Sequence, residues 1–248
     1  FRAPQLVRGS WKSLNGLWDY AITESDGTAM PAPAGEILVP FALESSLGGV
    51  AGRLTPDDAL WYSRSFRVPC RWRRNKEVLL HFEAVDWACE VWLNGEKLGE
   101  HKGGYTAFEF DITKYLRKGK QTLVLKVLDG TDNGLQPRGK QVLDPSGIWY
   151  TAVSGIWQSV WLEAVSRKGH ICDYDAVSPD LETVCVTPYA TGDGSVKVEL
   201  LDGRRVVAGA TVGSGETAIL FPPQPRTWSP DDPFLYGLRF TLVKDGRT

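Results

Sequence analysis

Six carboxylates in the sequence could do chemistry, because acidic side chains serve as general acids, general bases or nucleophiles. They are Glu44, Glu83, Asp86, Glu90, Glu109 and Asp111. Glu83, Glu90 and Glu109 lie at polar positions of segments in which apolar and polar residues alternate, so they are interpreted as strand residues on polar faces. Asp86 and Asp111 are expected to accept hydrogen bonds from turn backbones. Glu44 differs, because it lies in a loop, FALESSLGG, and loops on rigid scaffolds are where ligands are met. Glu44 is therefore the acidic candidate for a ligand site.

A long irregular stretch, residues 129–153, is the second candidate region. Loops above about 12 to 15 residues are uncommon in compact domains and are often functional. Its candidate side chains are Arg138, Lys140, Gln141, Trp149 and Tyr150. The first three could donate hydrogen bonds to the hydroxyls of a sugar, and the two aromatic rings could stack on it. Alternatively, the loop packs against a neighbouring domain with Trp149 as the anchor, and a longer protein could use it in both ways.

The histidines and cysteines form no nucleophilic or metal-binding constellation. The three histidines are scattered, and His101 is expected to bond the backbone of its own turn. The four cysteines make no CxxC pair, so neither a metal site nor a cofactor is predicted. Cys89 falls on an apolar strand face and is interpreted as a buried thiol. Cys172 and Cys185 could be bridged in an oxidising compartment.

Composition excludes some classes of partner. The 248 residues carry a formal net charge of −2 and 42% hydrophobic residues, which is enough for a substantial core. There is no polybasic run to attract nucleic acid or an anionic membrane, and no apolar segment approaches the ~18 residues of a membrane span. The chain opens on FRAPQLVRGSW without the features of a signal peptide. The compartment stays open, either cytoplasmic or exported with a signal peptide missing from this sequence.

The elements that must position these residues are strands. Apolar and polar residues alternate in KEVLLHFEAV, TAFEFDI and GIWQSVWLEAV, and long helical periodicity is hard to find. Asn94-Gly95 predicts a type I′ turn between two strands of a hairpin. Trp87 and Trp92 would then lie on opposite faces of one strand. Many short strands separated by Gly, Pro and Asn predict an all-β sandwich fold.

A change of amino-acid composition near residues 165–170 predicts two domains, 1–166 and 167–248. Nine of the ten tryptophans lie before it, and the segment that follows is richer in Thr and Val. Its length of about 80 residues suits an immunoglobulin-like module, although the Cys…Trp…Cys signature is missing. The sequence ends at KDGRT, a turn composition with no returning strand, which we interpret as a truncated domain.

Several segments in order resemble family 2 glycoside hydrolases, the β-galactosidase, β-glucuronidase and β-mannosidase group. The most specific is VDWACEVWLNGEKLGEHKGGYTAFEFDIT, and it is accompanied by WKSLNGLWDY, VPFALESSLGGV, LWYSRSFRVP and SGIWQSVWLE. Two positions depart from the family pattern. Ala107 replaces a common proline, and Trp149 lies near a place where some β-galactosidases carry an acidic side chain that reaches the active site.

The resemblance implies the front of a longer enzyme: a jelly-roll sugar-binding domain, an immunoglobulin-like domain and then a catalytic (β/α)8 barrel. A retaining glycosidase needs two carboxyls roughly 5 to 5.5 Å apart, and in this family both are barrel glutamates. The acid/base glutamate normally follows an asparagine, but no Asn-Glu dipeptide occurs here. This chain is therefore expected to carry no catalytic residue.

Two functional hypotheses follow. In the first, the chain is the non-catalytic N-terminal fragment of a retaining exo-β-glycosidase, with β-galactosidase first and β-glucuronidase second. It would brace the barrel, shape the rim of the pocket around the β-glycoside and support a homo-oligomer. In the second, it is a free-standing carbohydrate-binding module. A purely structural adhesion module is a third class, without specific support from the sequence.

Overall fold

The computed structural model of the protein describes residues 5–244, which contain twenty strands and no α-helix. The strands of the first part are β1 Trp11–Ser13, β2 Gly16–Glu24, β3 Gly35–Val39, β4 Asp58–Arg67, β5 Lys76–Phe82, β6 Val85–Asp86, β7 Ala88–Leu93, β8 Glu96–Lys102, β9 Phe108–Asp111, β10 Lys120–Leu128, β11 Gln141–Val142, β12 Tyr150–Thr151, β13 Gly155–Ile156 and β14 Val160–Ser166. They are followed by β15 Ile171–Val177, β16 Val184–Ala190, β17 Ser195–Asp202, β18 Arg205–Val212, β19 Ala218–Leu220 and β20 Gly237–Val243. Three short 3-10 helices span Ser46–Gly48, Cys70–Arg73 and Thr113–Tyr115. The all-β prediction is confirmed.

The chain divides into two compact units, Phe1–Ala164 and Val165–Thr248. In the first unit, a six-stranded sheet has the order β3-β2-β4-β10-β7-β8, and a four-stranded sheet has the order β1-β14-β5-β9. Alternate residues of both sheets point into one core, whose largest buried side chains include Trp18, Tyr62, Trp72 and Phe82. The first unit is thus a β-sandwich, because each sheet buries one apolar face against the other.

The second unit has two three-stranded sheets, β15-β16-β19 and β18-β17-β20. They enclose a smaller core of Val186, Val196, Val198, Leu200 and Leu220. β17 and β18 form a hairpin that turns at Asp202-Gly203, where Asp202 pairs with Arg205 and Gly203 has a φ of +60°. The turn predicted at the end of the sequence lies, apart from Lys244, outside the described residues.

The hairpin that joins β7 to β8 has the predicted turn. Asn94 and Gly95 have φ values of +56° and +86°, and Leu93 pairs with Glu96. The Asn94 amide also donates to the carbonyl of Tyr115 at 3.0 Å and to the side chain of Gln121 at 2.9 Å. The turn is therefore held from outside as well as by its own backbone preference.

Two predicted strands are interrupted. Residues 85–93 form β6 and β7 rather than one strand, because β6 pairs with β13 whereas β7 pairs with β10. Trp87 lies in the break, so the expected alternation with Trp92 does not hold. Likewise, GIWQSVWLEAV forms β13 and β14, with Trp157 between them. Both breaks occur where the chain passes from one set of pairing partners to another.

The expectations for Cys89 and for the pair Cys172 and Cys185 have different outcomes. Cys89 is buried, as predicted, and burial raises the pKa of its thiol to about 12. The bridge between Cys172 and Cys185, which the sequence left open, is not formed, because both thiols are free. Cys185 pairs across the sheet with Val177, at the opposite end of β15 from Cys172, so the two sulfurs lie too far apart to bond.

Candidate functional site

Three carboxylates from separate segments form a buried layer in the first unit. Glu44 comes from the loop after β3, Asp86 ends β6, and Asp129 directly follows β10. Ser154 joins two of them, because its backbone N–H donates to Glu44 Oε2 at 2.9 Å and its hydroxyl donates to Asp129 Oδ2 at 2.7 Å. We call Glu44, Asp86 and Asp129 the carboxylate layer.

The carboxylate layer holds protons more tightly than ordinary acidic side chains do. Asp86 is 4% exposed, and its burial, together with the charges of Asp129 and Glu44, raises its pKa to about 7. Burial also raises the pKa of Glu44 and that of Asp129 above their usual range. Since like charges in a shared site oppose one another's ionisation, the three groups titrate as a coupled set. The prediction that Asp86 bonds a turn backbone is therefore wrong, whereas Asp111 does accept from the backbone N–H of Thr113 at 2.9 Å.

Gln141 and Tyr105 connect the carboxylate layer to the surface. The Gln141 amide donates to the Tyr105 hydroxyl at 2.9 Å, accepts from the Val153 backbone N–H at 2.6 Å, and bonds the Asp86 carboxylate. Gly104 passes so close to Asp86 that an added Cβ would lie 2.2 Å from Asp86 Oδ1. Gly104 is thus required for the layer to close, and Tyr105 beside it is half-exposed.

The loop 129–153 is ordered by a short strand pair within the loop itself. β11 and β12 run parallel, and the backbone N–H of Tyr150 donates to the carbonyl of Lys140 at 2.8 Å. Arg138 lies over the Trp149 ring with 5.8 Å between guanidinium carbon and centroid, and Lys140 lies 5.7 Å from the centroid of Tyr150. The rings remain accessible, with Trp149 42% and Tyr150 64% exposed. The loop therefore presents two aromatic rings, each accompanied by a cation.

The predicted site residues fall in two groups. Glu44 and Gln141 belong to the buried carboxylate layer and its cover. Arg138, Lys140, Trp149 and Tyr150 lie on the exposed loop, and no described contact joins Glu44 to their rings. Asp86, Asp129 and Tyr105 were not predicted to belong here. The signal in the sequence is position, because Asp129 directly follows a predicted strand and begins the candidate loop.

A second ionic cluster lies on the four-stranded sheet. His81 Nδ1 is 3.0 Å from Glu109 and its Nε2 is 3.1 Å from Glu163, which also pairs with Arg8 at 2.6 Å. Burial lowers the pKa of His81, but the two carboxylates outweigh it and the net shift is upward. His101 behaves as predicted, because its Nε2 lies 3.2 Å from the carbonyl of Gly103. These contacts join strands and turns and leave no open reactive group.

The geometry suits binding rather than bond cleavage. Asp86 and Asp129 are buried and Glu44 is half-buried, and the three carboxylates accept from backbone, hydroxyl or amide donors that hold the loop in place. The exposed side chains offer apolar ring faces with nearby donors, which is the combination that recognises a sugar. Among residues 5–244, no group of His, Cys, Asp and Glu side chains could hold a metal ion. None of the helices within these residues is long and apolar enough to span a membrane.

Comparison with known proteins identifies the first unit. Residues 51–165 match the model for the sugar binding domain of glycosyl hydrolases family 2. The chain is 30% identical over 200 residues to a beta-galactosidase of Thermoanaerobacter pseudethanolicus, covering 75% of this chain and 26% of that protein. It is 26% identical over 203 residues to a beta-glucuronidase of Bacteroides fragilis, covering 75% of this chain and 29% of that protein. The chain thus spans little more than a quarter of these relatives.

A solved structure has the same fold. The beta-glucuronidase of Bifidobacterium dentium, complexed with coumarin-3-O-glucuronide, matches 97% of this chain and 46% of its own chain with a TM-score of 0.76 and 22% identity. At that identity the likeness concerns the fold. Together with the sequence matches, which include both beta-galactosidases and beta-glucuronidases, it leads to one assignment. The chain belongs to glycosyl hydrolase family 2 and corresponds to the N-terminal, sugar-binding region of that family.

Proposed function

We propose that the chain works as the non-catalytic N-terminal part of a retaining exo-β-glycosidase, where the loop 129–153 forms part of the rim of the sugar pocket. The observation that carries this proposal is the exposure of Trp149 and Tyr150 on a loop that is fixed from beneath. A rim that is ordered before the substrate arrives loses little conformational entropy on binding. Arg138 and Lys140 beside the rings supply donors for sugar hydroxyls.

The proposal assigns a task to each unit. Residues 1–166 form the jelly-roll domain that carries the rim, and residues 167–248 form an immunoglobulin-like domain. Both brace a catalytic (β/α)8 barrel that supplies the two glutamates of the double-displacement reaction. The substrate is a β-glycoside, with a β-galactoside first and a β-glucuronide second. The relative from Thermoanaerobacter, named a beta-galactosidase, supports that order.

The test is substitution of the exposed ring in the full-length enzyme. Trp149→Ala should raise KM about tenfold for a β-glycoside, because it removes a stacking face that the ground state and the transition state share. The melting temperature should stay unchanged, because the ring is 42% exposed. Trp11→Ala is the matched control, since Trp11 is a 38% exposed tryptophan on β1 of the same unit, and KM should not change.

Comparing aryl β-galactoside with aryl β-glucuronide decides the substrate. A larger kcat/KM for the β-galactoside supports the proposal, and the reverse order would replace it with the glucuronide. An unchanged KM in Trp149→Ala would remove the loop from the pocket. If the purified 248-residue chain bound a β-glycoside as tightly as the full-length protein, with Trp149 essential, the free-standing binding module would be the better description.

A further inference from the structure

The outer face of the six-stranded sheet carries a continuous row of side chains outside the main core, and its apolar members Ala21 and Trp61 form a small buried cluster of their own with Ala59. The row is formed by Ala21, Trp61, Lys126, Glu90 and Glu100, which are direct neighbours across β2, β4, β10, β7 and β8. Trp61 is stacked on Trp92 from the adjacent row, with ring centroids 5.9 Å apart at 27°. Trp61 is 2% exposed and Trp92 packs against its cluster, so the aromatic pair is covered, and the charged side chains of the row lie beside it toward β8.

A cavity of about 220 Å³ opens on this face beside the aromatic pair. Its lining includes Ala88, Glu90, Glu100, Lys102, Lys126 and Leu128, together with Cys89 and His101. Ala88 lies between Leu128 and Lys102 in the cross-strand register, so its small side chain creates the depression. We call this cavity the outer cleft.

Lys126 at the outer cleft is a buried cation. The residue is 9% exposed, and its ammonium donates to the carbonyl of Gly27 at 2.7 Å and lies 5.6 Å from the Trp61 centroid. Within residues 5–244 these two are its described side-chain contacts, and neither is an ion pair. A buried ammonium has three protons to satisfy, and its described hydrogen bond uses one of them. The other donors are available to a ligand in the cavity.

Two carboxylates at the rim are fixed in place by one cation. Lys97 Nζ lies 2.5 Å from Glu90 Oε2 and 3.5 Å from Glu100 Oε2. These contacts engage one oxygen of each carboxylate, so the other oxygen can accept a hydrogen bond. The outer cleft thus has fixed acceptors on one side and the donors of Lys126 and Lys102 on the other.

We propose that the outer cleft binds one residue of a neutral saccharide, as a site separate from the rim on loop 129–153. A pyranose hydroxyl both donates and accepts, so a neutral sugar can pair with the carboxylates and the ammonium groups together. An anion would meet Glu90 and Glu100, and a cation would meet Lys102 and Lys126. The apolar floor of Ala88 and Leu128 suits the C–H face of a ring. The volume lies below the roughly 300 to 1,000 Å³ of pockets for drug-sized ligands, which limits the occupant to about one ring.

The experiment is a titration of the isotope-labelled protein with neutral methyl β-glycosides of galactose, glucose and mannose, followed by amide NMR shifts. At millimolar concentrations, at least one sugar should shift amides within residues 88–90, 100–102 and 126–128 with a saturable curve. Glucuronate and glucosamine should bind more weakly. Absence of saturable shifts with all three neutral sugars, or tighter binding of either charged sugar, would overturn the proposal.

Two variants and one control locate the site. Ala88→Leu fills the depression, and Glu100→Gln weakens an acceptor on the exposed edge strand, so each should weaken the binding about tenfold. Glu36→Gln is the matched control, because Glu36 is an exposed glutamate on β3, the opposite edge of the same sheet, and binding should persist. Full affinity in both cleft variants contradicts the proposal. Shifts at residues 148–150 in place of 88–90 would also contradict it, while supporting the pocket rim proposed above.

Discussion

Asp86 is the residue whose chemistry the fold changes most. It is nearly inaccessible, it faces Asp129 and Glu44, and the donor that meets it is the neutral amide of Gln141 rather than a cation. With a pKa of about 7, Asp86 takes up a proton on folding between its ordinary pKa of 3.8 and about pH 7, where the same side chain is already ionised in the unfolded chain. Ionising this buried carboxyl in the folded state costs free energy, and below about pH 7 the folded state avoids that cost because the carboxyl keeps its proton.

The consequence is a stability that falls with rising pH. Between the unfolded value of 3.8 and about 7 the folded state binds more protons at Asp86 than the unfolded state does. The contribution of Asp86 to the unfolding free energy should therefore drop by at most about 1.4 kcal/mol per pH unit in this window, and level off above it. Asp86→Asn removes the titrating group, so this variant should gain stability relative to the wild type as pH rises from 4 to 7.

The measurement is urea unfolding of both proteins at several pH values, taking the difference between them. That difference cancels groups with opposite shifts, such as Glu163, whose pKa is lowered because His81 and Arg8 outweigh its burial. A difference independent of pH would mean that Asp86 is ionised in the folded protein.

The sequence predicts the importance of Glu44 but not the environment of Asp86. The loop position of Glu44 made it a candidate, and the structure places its carboxylate in the layer. Asp86 was assigned to a turn because aspartate at a strand end usually has that role. What decides its environment is the approach of Asp129 and Gln141, which are distant in sequence and become neighbours only through the sheet.

At the scale of elements, the β7–β8 hairpin depends on a backbone conformation that few residues adopt. Gly95 has a φ of +86°, and an added Cβ there would meet no atom within 4 Å. A substitution would thus act through backbone strain alone. The Asn-Gly signal was sufficient to predict this turn because turn chemistry is local.

Gly95→Ala should destabilise the first unit by about 1 to 2 kcal/mol, the usual cost of the left-handed region for a residue with a Cβ. Gly9→Ala is the control, because a Cβ at Gly9 also meets nothing within 4 Å and the residue does not have a positive φ in the glycine range. Its effect should stay within about 0.5 kcal/mol. Equal effects of the two substitutions in chemical denaturation would contradict the backbone explanation.

Other element boundaries were not predictable from alternation. Residues 85–93 are apolar enough for one continuous strand, yet β6 and β7 separate at Trp87 because they pair with different partners. The pairing of β1 with β14 joins opposite ends of the first unit. Period-two alternation reports which side chains are buried, but it contains no information about which strand lies next to which.

At the scale of the whole molecule, each unit has its own main core, and the two main cores differ in size. Leu93 belongs to the core of the first unit and Leu200 to that of the second, and both are buried. Nine of the ten tryptophans lie in the first unit, and only Trp228 lies in the second. Tryptophan fluorescence therefore reports mainly on the unfolding of the first unit.

Leu93→Ala and Leu200→Ala form a matched pair of core truncations. Each should cost about 2 to 5 kcal/mol in its own unit. Leu93→Ala should lower the midpoint of the fluorescence transition, and Leu200→Ala should leave it in place while lowering the midpoint of part of the β-sheet circular dichroism. Equal shifts of the fluorescence midpoint in both variants would show that the two units unfold as one.

The stacked tryptophans beside the outer cleft also have an optical consequence. Two indoles 5.9 Å apart and inclined at 27° couple their ultraviolet transitions, so the folded first unit should have an exciton couplet in its circular dichroism. Trp92→Phe would abolish the couplet while keeping an aromatic ring. Because Lys126 lies over one ring and Lys97 over the other, movement of either ammonium toward a ligand would alter the signal. The tryptophan pair thus provides a label-free optical signal for ligand binding beside the outer cleft.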